Sequence, residues 1–115
     1  MKYTLFQLVL THSMIDQINN LGVAFASETN PKVQAYYDSL LGRNIEKHFR
    51  DGHFTKVAEI EANDLEHLFD IGNIGPEANI TRFDRMHSVS VGDVVVDERG
   101  FHHVVASIGF ETLNL

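Results

Sequence analysis

The sequence predicts an α+β domain, in which a small, mostly antiparallel sheet of about four strands carries two to three helices packed on one face. Three observations predict it. Segments with a two-residue apolar period alternate with segments of helical period, giving the order β-α-α-β-α, then an irregular stretch, then β-β. The last two strand-like runs, residues 93–97 and 101–107, are joined by Glu98-Arg99-Gly100, which has the length and composition of a hairpin loop. The chain has 115 residues, 43% of them hydrophobic, and only two prolines; it is read as a single domain, 1–115, able to bury one core without metal or disulfide staples.

Each element follows from its residues. Residues 2–11 form a strand with Phe6, Leu8 and Leu10 on one parity and Tyr3, Leu5 and Val9 on the other, so it is expected to be central in its sheet or covered on both sides. Ser13 is read as the N-cap of a short helix carrying Met14, Ile15, Ile18 and Leu21, with Gly22 beyond its end. Residues 22–29 are read as a loop. Asn30-Pro31 opens a helix in which Val33, Tyr36, Tyr37, Leu40 and Leu41 make one stripe. This helix ends at Gly42 or resumes through Arg50. Asp51-Gly52 is a turn, and residues 53–62 are a strand in which Phe54, Ala58, Ile60 and Ala62 share a face, with Lys56 out of pattern. Asn63 with Glu66 has capping-box spacing for a helix buried through Leu65, Leu68 and Phe69 and closed by Gly72-Asn73. Residues 73–86 are irregular, turned at Gly75-Pro76 and pegged to the body by Ile74, Ile80 and Phe83.

Composition excludes several functions. Sixteen acids against nine bases give a formal charge of −7, which repels phosphate backbones and argues against nucleic-acid binding. The absence of cysteine removes thiolate metal sites, redox motifs and cysteine nucleophiles together. No apolar run is long enough to span a membrane, and residues 1–10 lack the cleavage site of a signal peptide. A cytoplasmic protein without cofactor is expected.

The candidate chemistry is sparse. Seven histidines are present, but none has HxxxH or HExxH spacing. His48 and His53 flank a turn, and His102 and His103 must point to opposite faces of a strand, so no metal site is expected. His87, Ser88, Ser90, Gly92 and Asp93 bring a triad's residue types together. The serines, however, alternate with Val89 and Val91, which is strand spacing and not that of a nucleophile on a strained turn. The acids Glu59, Glu61, Asp64, Glu66 and Asp70, with His67 among them, have no intervening lysine or arginine. Capping and solvation account for some of this run; as a surface it would steer and dock a basic partner.

The run from Met86 to Val95 (MHSVSVGDVV), followed by Ser107-Ile108-Gly109-Phe110, resembles the YodL-like domains, in which an "hS-x-SVxDVV" segment precedes a strand and the chain ends in "dSIGF". The resemblance covers about the second half. Ala106 stands where that pattern commonly has an acid. Such domains occur in bacterial proteins and in multidomain proteins of phages and plasmids, which implies a phage or mobile-element origin and brings no assigned chemistry. Gly109 and Phe110 are expected to turn the last strand and plug the core, so the motif is expected to be structural. The resulting expectation is a non-enzymatic accessory protein that binds a host protein, with a possible anti-defence role. The alternative is a small histidine/carboxylate enzyme or ligand-binding module built on His67 with Glu66 and Asp70, or on His87 with Asp93. A sheet edge can also pair with its twin, which makes a homodimer a further expectation.

Overall fold

The computed structural model describes residues 1–115. The domain is α+β, and its sheet is fully antiparallel with six strands in the order β3-β2-β1-β4-β5-β6. The strands are β1 (Lys2–Gln7), β2 (Thr55–Glu61), β3 (Ile80–Arg82), β4 (Val94–Val96), β5 (His102–Val105) and β6 (Phe110–Thr112). The helices are α1 (His12–Leu21), α2 (Val23–Thr29), α3 (Pro31–Leu40), α4 (Ile45–Arg50) and α5 (Leu65–Asn73). The strand β2 and the β4–β5 hairpin are where the sequence places them, and β1 starts as expected but ends at Gln7, four residues short of Thr11. The two extra strands, β3 and β6, are three residues each, too short to leave a periodic signal.

β1 is central, between β2 and β4, because its side chains are wanted on both faces. Tyr3 and Leu5 join Ile60, Val95 and Val105 in the main core, where Leu68 and Ile71 of α5 cover them. Phe6, one residue on, points the other way and packs with Val94, Val104, Phe54 and the α4 residues Ile45 and Phe49. Phe49 sits edge-on to Phe6 and His102, with ring centroids 5.1 and 5.2 Å away. Helices therefore lie on both faces, not on one.

A β-bulge explains why Lys56 breaks the parity of its strand. Leu5 pairs with Ala58 but Phe6 pairs with Lys56, so Val57 is an extra residue in β2. The bulge sends Ala58 and Ile60 to the main core and Phe54 to the smaller one. The Val57 carbonyl, turned out of the ladder, accepts from the amides of Phe83 and Asp84. Lys56 lies over the Phe83 ring, 5.0 Å from its centroid.

Several local expectations are corrected. Thr11, not Ser13, caps α1 by accepting from the Met14 amide. Residues 23–29 form α2 instead of a loop, starting from Gly22 and burying only Ala26. In α3 the stripe holds at Val33, Tyr36 and Tyr37, but Leu40 and Leu41 are exposed because the helix ends there. The buried pair of α5 is Leu68 and Ile71, with Phe69 at the surface. Ile74 is 87% exposed and pegs nothing, whereas Ile80 packs against the core as expected.

Gly92 marks the tightest backbone approach. Its φ of 91° is left-handed, and a Cβ there would lie 2.5 Å from the Ser39 carbonyl oxygen at the end of α3. Gly109 also has a left-handed φ, of 68°, but open space around it. Gly92→Ala should therefore cost both conformational strain and a backbone clash, ~3–5 kcal/mol, while Gly109→Ala costs only strain, ~1–2 kcal/mol. Urea unfolding of the two variants checks this; equal losses would contradict the close packing of the 91–93 turn on α3.

Candidate functional site

The acids of residues 59–70 do not form one continuous face. Glu59 is half-buried in β2 opposite Thr4 and Thr81, and Glu61 binds the N-terminal ammonium at 3.0 Å. Asp64, not Asn63, caps α5, its Oδ1 accepting from the His67 amide at 2.8 Å. His67 Nδ1 reaches back to accept from the Asn63 amide at 3.0 Å, the part expected of Glu66. This one-residue shift commits His67 to the cap and leaves Glu66 and Asp70 exposed.

What gathers charge is the approach of α5 to the β4–β5 hairpin. One depression is lined by Tyr3, Asp64, Leu65, Glu66, Asp97 and His103. A second, of about 410 Å³, runs from Glu66, Phe69 and Asp70 to Gly109 and Phe110. Glu66 belongs to both, and neither contains a lysine or an arginine. Burial, reinforced by Asp64, Asp97 and Glu98, pushes the Tyr3 hydroxyl above its ordinary pKa. Glu98 also accepts from the Lys2 amide at 3.0 Å. Burial pushes the Asp97 carboxyl up, but bonds from His103 Nε2 at 2.9 Å and from the Phe101 and Arg99 amides outweigh it and hold that carboxyl low. Asp97, Glu98 and His103 were legible only as hairpin residues; nothing in their spacing ties them to residues 64–70.

The motif of residues 87–93 is held from inside. Gln7 is fully buried in β1, and its Nε2 donates to Asp93 Oδ2 and to the His87 carbonyl, each at 2.9 Å. Its Oε1 accepts from the His87 amide at 3.1 Å, and the Ser90 amide donates to Asp93 Oδ2 at 3.0 Å. Val89 is buried against α5, while Ser88 and Ser90 face outward. His87 Nδ1 bonds to the Ser88 carbonyl at 2.8 Å, not to Asp93, so the pair named for catalysis makes no direct contact. Phe110 packs against the main core beside Val105, as a plug would.

Elsewhere the fold joins what the sequence separates. Asp38 of α3 accepts from His48 Nε2 of α4 at 2.9 Å and from Gln34 Nε2 at 2.8 Å. Burial raises the Asp38 carboxyl, but bonds to His48, Gln34 and Asn44 more than offset it and hold it below its ordinary value. The largest hollow, about 710 Å³ between α4 and β5, is open, and its charged lining mixes Lys47 and Arg50 with Glu46 and Glu111.

No protein-family model, curated protein or solved structure matches the chain. No helix is long and apolar enough to cross a membrane. Function has therefore to be read from the acidic depressions and the buried polar bonds themselves.

Burial dominates Asp93 and pushes its carboxyl up to about 6, against the lowering effects of the Ser90 amide, Gln7 and His87. The folded state thus holds this proton more tightly than the unfolded chain. The contribution to stability is full below about pH 4 and is lost as pH rises through 6. Relative to Asp93→Asn, the wild-type chain should lose roughly 2 kcal/mol between pH 4 and 7. Denaturant unfolding at a series of pH values reads this directly, and a pH-independent difference between the two chains would contradict it.

Proposed function

We propose that the chain is a non-enzymatic accessory protein of phage or mobile-element origin that docks on a basic surface of a host protein in the cytoplasm, and that it acts there by occupation, for example against a defence system. The observation that carries this reading is the ledge formed by Asp64, Glu66, Asp70 and Asp97 around two adjoining depressions free of lysine and arginine. Phe69 and Phe110 in the second depression add apolar contact for the stems of basic side chains.

Three further features support it. The net charge of −7 would steer a basic protein toward the ledge and keep nucleic acid away. The side chains of the histidine-serine-aspartate motif make no hydrogen bond to one another: His87 Nδ1 bonds to the Ser88 carbonyl and Asp93 accepts from Gln7 and the Ser90 amide, so the relay a triad requires is not assembled. The resemblance of the second half to YodL-like domains supports the origin. Self-association through a sheet edge is disfavoured by the three-residue length of both edge strands, β3 and β6.

Capture from bacterial lysate should retain a partner at low salt and release it as salt screens the ledge, since the screening length falls from ~10 Å at 0.1 M to ~3 Å at 1 M. The double variant Glu66→Lys/Asp70→Lys should lose that partner. Asp16→Lys/Glu28→Lys, which makes the same charge change on exposed residues of α1 and α2, should keep it. A partner retained equally by both variants, or none retained at low salt, would overturn the reading.

A further inference from the structure

We propose that His48, Asp51 and His53 form a binding site for a divalent transition-metal ion of the zinc class, with Asp38 as the positioning residue. The three side chains each place a ligand atom within 4.8 Å of the others. An ion centred among atoms so spaced lies at most about 2.8 Å from each. That is within an ångström of the ~2.0–2.2 Å of zinc–imidazole and zinc–carboxylate bonds.

The sequence His48-Phe49-Arg50-Asp51-Gly52-His53 builds the site locally. His48 and Asp51 are three residues apart at the end of α4, so they share a helix face. Gly52, with a left-handed φ of 79°, reverses the chain, and the His53 amide donates to the His48 carbonyl at 3.2 Å. The two imidazole rings are left 5.8 Å apart, centroid to centroid.

An independent observation points to a ligand. His48 is buried, its side chain 8% exposed, yet its Nδ1 has no hydrogen-bond partner. Its Nε2 donates to Asp38 Oδ2, which leaves the lone pair on Nδ1, the form in which an imidazole binds a metal. A buried nitrogen without a partner is costly, and an ion would satisfy it. Asp38, itself bonded by Gln34, fixes the ring's tautomer and orientation in the manner of a carboxylate behind a metal-bound histidine.

The surrounding charges permit a cation. Lys47 Nζ holds Asp51 Oδ2 at 2.8 Å, but this i,i+4 pair is exposed and weak, and the second carboxylate oxygen makes no other bond. Arg50 is directed away, to the Asn114 carbonyl. Two imidazoles and one carboxylate select zinc-like ions over calcium or magnesium, which prefer all-oxygen sets. Asp51 is exposed and His53 half-buried, so the ion would keep a position open to water.

The test is calorimetric titration of untagged, chelator-stripped protein with Zn²⁺, with Co²⁺ absorption as a report on ligand geometry. One Zn²⁺ per chain is expected, bound more tightly than about 100 μM. His53→Ala, at a half-buried position, and Asp51→Asn, at an exposed one, should each weaken binding at least ~10-fold, and Asp38→Asn by ~10–100-fold with a changed Co²⁺ spectrum. His12→Ala, at the start of α1, should change nothing. No binding in that range, or binding unaffected by His53→Ala and Asp51→Asn, overturns the proposal, the latter because the ion would then sit on other histidines.

Discussion

A buried carboxylate bonded to a buried amide holds this molecule together. Asp93 and Gln7 are 86 residues apart, and both lie in the interior, at 4% and 0% exposure. A carboxylate removed from water is costly; here Gln7 Nε2 and the Ser90 amide both donate to Oδ2, which offsets part of that cost while burial still pushes the carboxyl up to about 6. Gln7 in turn spends its amide group on the carbonyl and amide of His87, so the chain from 87 to 93, which forms no strand, is tied to the centre of the sheet. Everything downstream depends on that tie. It sets where β4 enters beside β1, it seats Gly92 on the end of α3, and the Asp93 carbonyl extends the hairpin by accepting from Val105.

Elements whose pattern spans several residues were legible in the sequence, and elements set by distant partners were not. β1 read as central because it is apolar on both parities, and the hairpin read from Glu98-Arg99-Gly100; both hold. The placement of helices on one face failed because the bulge at Val57 splits the β2 parity between two cores, which a two-residue period cannot express. α2 reads as a loop in the sequence since its small apolar residues bury only Ala26 and show no stripe. Capping chemistry was right in kind at α5 and wrong by one residue, because Asn63 and Asp64 are both competent caps.

The candidate sites divide the same way. Glu66 and Asp70 were visible as an acid run, but their neighbours Asp97 and His103 join them only through the packing of α5 beside the hairpin. The catalytic-looking cluster at residues 87–93 carried residue types without geometry: its partner is Gln7, a polar residue in a strand that otherwise reads as apolar. His48 and His53 looked unrelated at a spacing of five, since the spacing says nothing of the glycine turn that brings them together or of Asp38 behind His48. Gln7 and Asp93, polar residues inside the domain, thus serve the fold, while His48 and Asp38 are brought together by packing that no spacing announces.

The central claim is that the Gln7–Asp93 bond makes residues 87–93 part of the cooperative core although they belong to no strand. Native-state amide hydrogen exchange tests it most directly. The amides of His87 and Ser90, bonded to Gln7 Oε1 and Asp93 Oδ2, should exchange only through global unfolding, with the same protection as Leu5 and Val95 in the central strands. Exchange of His87 and Ser90 at the rate of an exposed loop, while Leu5 and Val95 stay protected, would contradict the account.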